Sequence, residues 1–302
     1  MDKVIITGAS GFLGKCLIGS FSDKEKYQVF ALTSKPDSLE REVEAENVVF
    51  LDRNCLFDGE QAESIIRDSQ IINCAFPRNT DGINMAKGLE YIQKVFCSAA
   101  AHKARAIINI SSQSVYSQKR TEMANEGTEL NLESVYATGK YATELMLNTI
   151  CRALPHTNLR LSSLIGPSFN QRITNKLIDS VIATKGAKVS INERRFGFMD
   201  VRDAAGAIFT LVETDPKIWK EVYCVGTGRG YSLIEISDAI TKLAGELLGF
   251  APEIITVCTE ESGDTAVSGE LLKEDTGFIS KYSLEESLRE IFLTKLSKCS
   301  QE

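Results

Sequence analysis

The sequence predicts an α/β fold in which a doubly wound parallel sheet is joined to a smaller C-terminal α+β lobe. In the first half of the chain, short apolar runs rich in β-branched residues alternate with segments of helical length. This alternation is typical of a parallel sheet with helices packed on both faces. After the turn signal Gly166-Pro167 the predicted elements become shorter and more polar. Residues 167–197 and 227–302 are therefore expected to form the lobe, and residues from about 198 to 226 to return to the sheet.

Each predicted strand is a short apolar run bounded by turn residues or by a helical segment. Parallel neighbours need right-handed crossover connections, so strands and helices together give a doubly wound sheet. The strands are predicted at Val4–Ile6, Val29–Leu32, Val48–Leu51, Gln70–Asn73, Ala106–Ile110, Asn158–Leu161 and Glu221–Gly226.

Predicted helices connect these strands and form part of the lobe. Ser232 and Ser283 are expected to cap two of them, because a serine hydroxyl accepts a hydrogen bond from a free amide of the first turn. Glu286 completes a capping box with Ser283. The helices are predicted at Gly14–Phe21, Glu60–Asp68, Ile83–Lys103, Val135–Leu154, Leu233–Leu248 and Ser283–Leu296.

Composition argues against several classes of protein. The formal net charge of −7 disfavours binding to nucleic acid, whose phosphates are also negative. The eight cysteines include no C-x-x-C pair and are accompanied by only two histidines, which argues against a metal site. No secretory segment opens the chain, and no apolar run is long enough to span a membrane. We therefore expect a cytoplasmic protein with reduced cysteines and no membrane partner.

A glycine-rich loop, Gly8-Ala9-Ser10-Gly11-Phe12-Leu13-Gly14, directly follows the first predicted strand and opens the first helix. Glycine allows a tight turn and a close approach of the backbone to a pyrophosphate, and a helix N-terminus favours anionic oxygens. A glycine-rich turn without a ligand is the alternative, but the position at the start of a βαβ unit favours a dinucleotide. Residues 1–166 are therefore predicted to be a Rossmann dinucleotide-binding domain, with cofactor contacts from Gly8, Ser10, Gly11, Phe12, Leu13 and Gly14.

The end of the second strand, Thr33-Ser34-Lys35, bears on the choice of cofactor. An acidic residue there normally accepts hydrogen bonds from the adenosine ribose, and none is present. A hydroxyl and a cation would instead suit a 2′-phosphate, so NADP is favoured over NAD. A solvated surface lysine is the alternative. Asp52, which closes the third strand, is a candidate ligand of the adenine amino group.

Three polar side chains are predicted to form a catalytic constellation. Ser112 lies at the end of the fifth strand, and Tyr136 and Lys140 lie four residues apart on the following helix, so they share a helix face. An ammonium group beside a phenol stabilises the phenolate, which suits a general acid–base catalyst. Tyr-x-x-x-Lys alone also fits an ordinary exposed helix pair. Its position after the glycine loop and after the strand end Ser111–Tyr116 favours the catalytic interpretation.

With these motifs the chain resembles the extended short-chain dehydrogenase/reductase superfamily, and within it the NAD-dependent epimerase/dehydratase family, which acts largely on nucleotide sugars. The resemblance runs nearly from end to end. Besides the glycine loop and Tyr136-x-x-x-Lys140, it rests on Asn73-Cys74-Ala75, Arg160–Pro167, Phe198–Ala205 and Tyr223–Gly226.

The resemblance implies a role for each matched residue. Ser112 would polarise a substrate carbonyl, Tyr136 would act as acid and base, and Lys140 would tune Tyr136 and bind the nicotinamide ribose. Ala75 would also contact the cofactor. Family members commonly dimerise through their two long helices, here Ile83–Lys103 and Val135–Leu154, so a homodimer is expected.

Two departures from the family pattern bear on the predicted function. The family's 4,6-dehydratases have an Asp-Glu pair directly after the catalytic hydroxyl. Here Gln113 and Ser114 occupy those positions, so dehydration of a sugar is disfavoured. The family often has a substrate-binding arginine seven residues before Asp203, but Phe196 stands there and Arg195 is one residue away.

Candidate substrate contacts come from several segments. Phe76-Pro77-Arg78 follows the fourth strand at the ligand edge of the sheet and could line a sugar pocket or be a structural loop. The polar segment 169–176 could bind a nucleotide head group or be an ordinary solvated loop. The predicted substrate-binding residues are Phe76, Arg78, Gln113, Ser114, Asn175 and Arg195.

Three functions are compatible with these residues. The first is an NADPH-dependent reductase of a 4-keto-deoxysugar nucleotide, favoured by the non-acidic Ser34-Lys35 and by the missing dehydratase carboxylates. The second is a nucleotide-sugar epimerase that retains tightly bound NAD. The third is a non-catalytic dinucleotide sensor, against which the intact catalytic constellation argues. For either enzyme the expected partner is a small-molecule substrate, a nucleotide sugar.

Overall fold

A computed structural model describes residues 1–22, 24–43, 45–77 and 81–299 of the chain. It confirms the predicted α/β fold class, with a mostly parallel sheet flanked by helices. Arg78, a predicted substrate contact, lies outside the described residues. The strands are β1 (Asp2–Thr7), β2 (Tyr27–Thr33), β3 (Val48–Asp52), β4 (Gln70–Asn73), β5 (Ala106–Ser112), β6 (His156–Leu161), β7 (Ser163–Ile165), β8 (Gly186–Asp200), β9 (Val222–Val225), β10 (Gly230–Ser232) and β11 (Glu253–Asp264).

The helices begin and end close to their predicted bounds where the sequence has clear periodicity and caps. Ser232 accepts a hydrogen bond from the Glu235 amide at 3.1 Å, and Ser283 accepts one from the Glu286 amide at 3.2 Å, so both predicted N-caps are confirmed. The helices are α1 (Phe12–Ser22), α2 (Pro36–Glu40), α3 (Gly59–Ile66), α4 (Gly82–Ala101), α5 (Val135–Ile150), α6 (Ile173–Thr184), α7 (Val201–Glu213), α8 (Leu233–Leu248), α9 (Glu270–Thr276) and α10 (Leu284–Cys299).

The main sheet is seven-stranded, with the order β3-β2-β1-β4-β5-β6-β9, and all its neighbouring strands are parallel. Alternate side chains of β1 belong to two different cores. Val4 and Ile6 pack with residues of α1 and α7, whereas Ile5 packs on the opposite face with residues of α3, α4 and α5. Because β2 and β4 flank β1 on opposite sides, the chain order reverses there. A ligand crevice is expected at the carboxyl ends of these strands.

A row of buried polar side chains crosses this sheet. Thr7, Asn73, Asn109 and Asn158 occupy one register row on β1, β4, β5 and β6. Thr7 donates to Asn73 at 2.7 Å, and Nδ2 of Asn73 donates to Oδ1 of Asn109 at 2.9 Å. Nδ2 of Asn109 in turn donates to Oδ1 of Asn158 at 2.9 Å and to Thr143 on α5 at 3.1 Å. The row therefore holds the four strands in register, at the carboxyl ends of β1 and β4 and the middle of β5 and β6, and links them to α5.

The second sheet differs from the sequence prediction. It has the order β10-β8-β11, with β7 also paired to β8. The expectation of short elements is wrong for β8, which has 15 residues, and for β11, which has 12. The reason is that β11 is an exposed edge strand whose short apolar stretch, Ile254–Val257, is followed by polar residues, so it lacks the alternation of apolar and polar residues typical of a half-buried strand.

The faces of the two long helices are only partly available to another chain. Ile92 and Phe96 of α4 are fully buried within the protein, whereas Leu145 of α5 is 49% exposed.

Among the described residues, no helix combines the length and the apolar character that a membrane span needs. Those residues also contain no group of histidine, cysteine, aspartate or glutamate side chains arranged to hold a metal ion.

Candidate active site

The glycine loop lies between β1 and α1, where its backbone forms a closely packed turn. Gly8 has a φ of +64°, a conformation that side chains disfavour, and a Cβ there would lie 2.8 Å from the Ala75 nitrogen. A Cβ on Gly14 would lie 2.5 Å from the Gly8 carbonyl oxygen. Neither position therefore accepts a larger residue. The loop leads directly into the N-terminus of α1, where the pyrophosphate of a dinucleotide is expected to bind.

A cavity of about 790 Å³ extends from this loop over the carboxyl ends of β2 and β3 toward α4. Its wall includes the predicted cofactor residues Gly8, Ser10, Gly11, Thr33, Ser34, Lys35 and Ala75. The Thr33 hydroxyl donates to the Ser10 hydroxyl at 3.0 Å, which ties the end of β2 to the glycine loop. The position and size of the cavity suit the adenosine half of a dinucleotide.

Several charged residues in the wall of this cavity were not predicted. Arg53 follows Asp52 at the end of β3 and lies over the ring of Tyr91 on α4, 5.3 Å from its centroid. Lys87 of α4 is a second added cation, and Lys15 of α1 is paired with Glu42. Their sequence contexts are ordinary solvated segments, so only the folding of α4 against the strand ends identifies them.

The predicted catalytic side chains come from β5 and α5, which pack against each other. Ser112 ends β5, and its Oγ accepts a hydrogen bond from the Ser114 amide at 3.2 Å. Ser134 caps α5 by accepting from the Ala137 amide at 3.1 Å, so Tyr136 lies in the first turn of that helix. The Tyr136 side chain is 37% exposed, as a residue that meets a substrate must be.

Lys140 is buried beneath Tyr136. Its Nζ donates a hydrogen bond to the Ile110 carbonyl oxygen at 2.7 Å and lies 5.9 Å from the centroid of the Tyr136 ring. Burial lowers the pKa of the Lys140 ammonium group below its ordinary value, while the nearby Tyr136, Cys74 and Glu144 oppose that effect. The result is a fixed cation on the inner side of an accessible phenol.

Phe76 contacts both of these side chains. Its ring lies edge-on to Tyr136, with centroids 5.2 Å apart, and Nζ of Lys140 lies 4.1 Å from its centroid. Such a position over an aromatic ring favours a cation. Gly139 makes this packing possible, because a Cβ there would lie 2.6 Å from the Met85 sulfur and 3.1 Å from Phe76. Phe76, predicted as a substrate contact, therefore packs against both members of the predicted catalytic pair.

The model of the NAD-dependent epimerase/dehydratase family matches residues 4–226, which span the glycine loop, the catalytic helix and the last strand of the main sheet. The chain belongs to that family. The resemblance inferred from its motifs is thus confirmed, and the chain is an NAD-dependent enzyme of the epimerase/dehydratase type. No curated protein sequence matches it significantly.

Solved structures share the fold of this family member over nearly its whole length. One is the UDP-glucuronic acid 4-epimerase from Bacillus cereus with UDP-glucuronic acid and NAD, at 18% identity and a TM-score of 0.81 over 98% of this chain and 99% of that one. A second is the UDP-N-acetylglucosamine 4-epimerase from Methanobrevibacter ruminantium M1, at 19% identity and a TM-score of 0.80 over 98% of this chain and 99% of that one. A third is the dTDP-glucose 4,6-dehydratase from Bacillus anthracis, at 17% identity and a TM-score of 0.81 over 98% of this chain and 97% of that one.

Phe12, Leu13 and Asp52 were also predicted to contact the cofactor, but their surroundings differ from those of the residues in the cavity wall. Phe12 stacks on Phe169, with ring centroids 5.1 Å apart, and the side chain of Leu13 is buried in the core. Asp52 is exposed, and it accepts a hydrogen bond from the Asn54 amide at 2.9 Å. Asp52 is therefore the N-cap of a short helical turn, and Arg53 beside it lines the cavity.

Three of the predicted substrate residues, Gln113, Asn175 and Arg195, make hydrogen bonds within the protein. Gln113 is 7% exposed and accepts from Arg120 at 3.2 Å. Asn175 is fully buried and donates to the Gly166 carbonyl oxygen at 3.1 Å. Arg195 donates to the Gly230 carbonyl oxygen at 2.7 Å and lies in the second sheet. Ser114 has a buried Oγ with no partner among the described residues.

Proposed function

We propose that this enzyme is a nucleotide-sugar epimerase that inverts a carbon bearing a secondary hydroxyl group, with no net consumption of its dinucleotide. The observation that carries the proposal is the chemistry around Ser112, Tyr136 and Lys140. These residues suit oxidation and reduction at a hydroxyl-bearing carbon, while Gln113 and Ser114 supply no carboxylic acid or carboxylate for the elimination of water. Within an epimerase/dehydratase family, that combination favours epimerisation.

Each residue of the site has a definite part in this proposal. Tyr136, with the Lys140 cation behind it, takes the proton of the substrate hydroxyl and returns it to the same oxygen after the carbon has changed its configuration. The Ser112 hydroxyl donates a hydrogen bond to that oxygen while it is a carbonyl. A bound nicotinamide dinucleotide supplies the acceptor and donor of hydride. The glycine loop and the wall of the adenosine cavity hold the dinucleotide.

Support for the substrate class comes from the similar structures. Two of them are named as 4-epimerases of UDP-linked sugars, and the Bacillus cereus structure contains UDP-glucuronic acid and NAD. We therefore propose a nucleotide sugar as substrate and NAD as the retained cofactor. The epimerase takes precedence over the 4-keto-sugar reductase that the sequence alone favoured.

The test is to incubate the enzyme with UDP-glucuronic acid and with UDP-N-acetylglucosamine and to follow the sugar by NMR and the nicotinamide by absorbance. The proposal expects the C4 epimer to accumulate to an equilibrium mixture, with no net change in nicotinamide absorbance. The Tyr136→Phe variant is the matched control and is expected to form the epimer about 10²- to 10⁴-fold more slowly. Net formation of one reduced nicotinamide for each molecule of sugar oxidised would contradict the proposal.

A second candidate function is the NADPH-dependent reduction of a 4-keto-deoxysugar nucleotide. One observation favours it: the cavity at the ends of β2 and β3 is lined by the cations Lys35 and Arg53, and no carboxylate stands at the end of β2. That arrangement suits a 2′-phosphate. The deciding measurement is the mass of the cofactor that purifies with the enzyme, followed by titration of the emptied protein with NADPH and NADH. Retained NAD supports the epimerase.

Preference for NADPH that disappears in a Lys35→Ala, Arg53→Ala double variant would support the reductase. The matched control is Lys24→Ala, which removes a cation outside the cavity. It should leave the ratio of the two affinities unchanged.

A further inference from the structure

A buried ion pair lies directly behind the catalytic residues. The Glu144 carboxylate on α5 is 3% exposed, and the Arg160 guanidinium on β6 is 6% exposed. Nε and Nη2 of Arg160 donate to the two oxygens of Glu144 at 3.1 and 2.7 Å. The Ser111 hydroxyl donates to the same carboxylate. This bidentate pair therefore joins α5 to both β5 and β6.

The ion pair also reaches the turn that follows the catalytic serine. Nη1 of Arg160 donates to the Tyr116 hydroxyl at 2.9 Å, and that hydroxyl lies 3.2 Å from Sγ of Cys224 on β9. Tyr116 is fully buried, and its residue number is four greater than that of Ser112. One connected set of polar groups thus contacts β5, the turn after it, α5, β6 and β9.

The position of Glu144 along α5 connects the ion pair to the geometry of the site. Glu144 lies four residues after Lys140 and eight after Tyr136, so the three share a face of the helix. Ser111 directly precedes Ser112 on β5. The contacts of Glu144 with Ser111 and Arg160 therefore set the axial position and the rotation of α5 relative to β5, which ends in Ser112.

Other contacts between α5 and the sheet are less directional. Leu147 packs in the apolar core, and apolar contacts tolerate small shifts along a helix. The hydrogen bonds from Asn109 to Thr143, from Lys140 to the Ile110 carbonyl oxygen and from Asn158 to Asn148 are single ones. A bidentate arginine–carboxylate pair has two parallel hydrogen bonds and so defines an orientation. Replacing such a pair by well-packed apolar residues often leaves stability unchanged, so its main consequence here is geometrical.

We infer that Glu144 and Arg160 are positioning residues, which hold Tyr136 and Lys140 in register with Ser112 without touching the substrate. The inference rests on the proposed oxidation and reduction chemistry of the same site. The ion pair should affect binding of the nicotinamide half of the dinucleotide, because Lys140 is proposed to bind the nicotinamide ribose. The adenosine half, built on α1, β2 and β3, is independent of the pair.

The experiment replaces the whole pair with apolar residues in the triple variant Ser111→Ala, Glu144→Met, Arg160→Met. This variant leaves no buried charge at the position of the pair. The Tyr116 hydroxyl loses Arg160 but keeps Sγ of Cys224 at 3.2 Å, so the fold remains testable. A second variant, Arg160→Lys, keeps the charge but loses the bidentate geometry. The control is Lys242→Met with Glu285→Leu, which removes an exposed pair between α8 and α10.

Two readouts separate positioning from a merely structural role. The first compares the dissociation constant of AMP, which probes the adenosine half alone, with that of NADH. In both variants we expect the dissociation constant of AMP to change by less than about twofold and that of NADH to rise by about tenfold. The second is turnover of the UDP-sugar that the wild type accepts, where kcat should fall by about tenfold or more and KM should change by less than about threefold.

The inference is overturned if a folded triple variant keeps the wild-type NADH affinity and kcat. It is equally overturned if AMP and NADH binding weaken together, since that would report a general loss of structure. If the wild type turns over no UDP-sugar, the proposed function fails, but the ratio of NADH to AMP affinity still decides the inference. The Lys242→Met, Glu285→Leu control should match the wild type in both readouts.

Discussion

The ammonium group of Lys140 donates a hydrogen bond to the carbonyl oxygen of Ile110 across 2.7 Å, from α5 to β5. This bond holds the cation at a fixed place two residues before the end of the strand that bears Ser112. The ring of Phe76, 4.1 Å away, stabilises the charge without neutralising it. The site therefore has a cation that remains available to Tyr136, and several consequences can be measured.

Replacing Tyr136 with phenylalanine should remove activity without affecting stability. The phenol is the proposed proton donor and acceptor, so turnover should fall by about 10²- to 10⁴-fold. The side chain is 37% exposed and packs edge-on against Phe76, and phenylalanine keeps that contact. The free energy of unfolding in urea should change by less than about 0.5 kcal/mol. Tyr141→Phe, on the same helix, is the control and should keep its activity; equal losses in both variants would refute the assignment.

Lys140 should give the protein a distinctive dependence of stability on pH. Burial lowers its pKa in the folded protein, whereas in the unfolded chain it titrates near its ordinary value of about 10.4. Between these two values the unfolded state binds more protons, so this group makes stability rise with pH. Lys140→Met removes the contribution. The difference in unfolding free energy, wild type minus variant, should therefore increase as pH rises through this window.

The measurement is urea unfolding of both proteins at a series of pH values from neutral to alkaline. Taking the difference cancels the other groups that titrate at alkaline pH, including the buried thiols and tyrosines. A difference that is flat across the series would mean that Lys140 is not desolvated in the folded protein.

The glycine loop should tolerate no side chain at Gly8. In Gly8→Ala the new Cβ would lie 2.8 Å from the Ala75 nitrogen, and the φ of +64° would be strained. Unfolding free energy should fall by about 1–3 kcal/mol, and NADH should bind at least about tenfold more weakly. Gly19→Ala on α1 is the control, because a Cβ there meets nothing within 4 Å. It should raise stability by about 0.5–1 kcal/mol.

Breaking the buried ion pair on one side should cost far more than removing both partners. Arg160→Met leaves the Glu144 carboxylate buried without its cation, and the free energy of unfolding should fall by about 3–5 kcal/mol. Adding Glu144→Met and Ser111→Ala should recover most of that loss. Urea unfolding of the three proteins tests this order. If the triple variant is no more stable than Arg160→Met alone, the loss comes from packing rather than from an unpaired charge.

Much of the main sheet follows from local sequence. Runs such as Val4–Ile6 and Ala106–Ile110 are apolar and β-branched, and strands buried on both faces need that composition. The glycine loop and the cap Ser232 are equally local, because a turn or a helix end depends on residues within a few positions. The spacing of Tyr136 and Lys140 also follows from the sequence, since four residues place side chains on one helix face.

The second sheet shows where local signals fail. β8 contains the polar run Asn192–Arg195, and β11 is an exposed edge, so neither has the period of a half-buried strand. Their pairing depends on segments far apart in the chain, as in the register of Glu253 with Gly186. Such a contact has no counterpart in the sequence around either residue.

The fold class, the glycine loop after β1 and the proposed catalytic residues Ser112, Tyr136 and Lys140 were all predicted from short-range patterns in the sequence. Their surroundings depend on the packing of distant elements: Phe76 lies beside Lys140, Arg53 lies in the wall of the cavity, and Glu144 is paired with Arg160 behind the site. These relationships join residues on different elements. The physical reason is that burial, charge pairing and ring contacts are set by which elements pack together, and no local spacing encodes that packing.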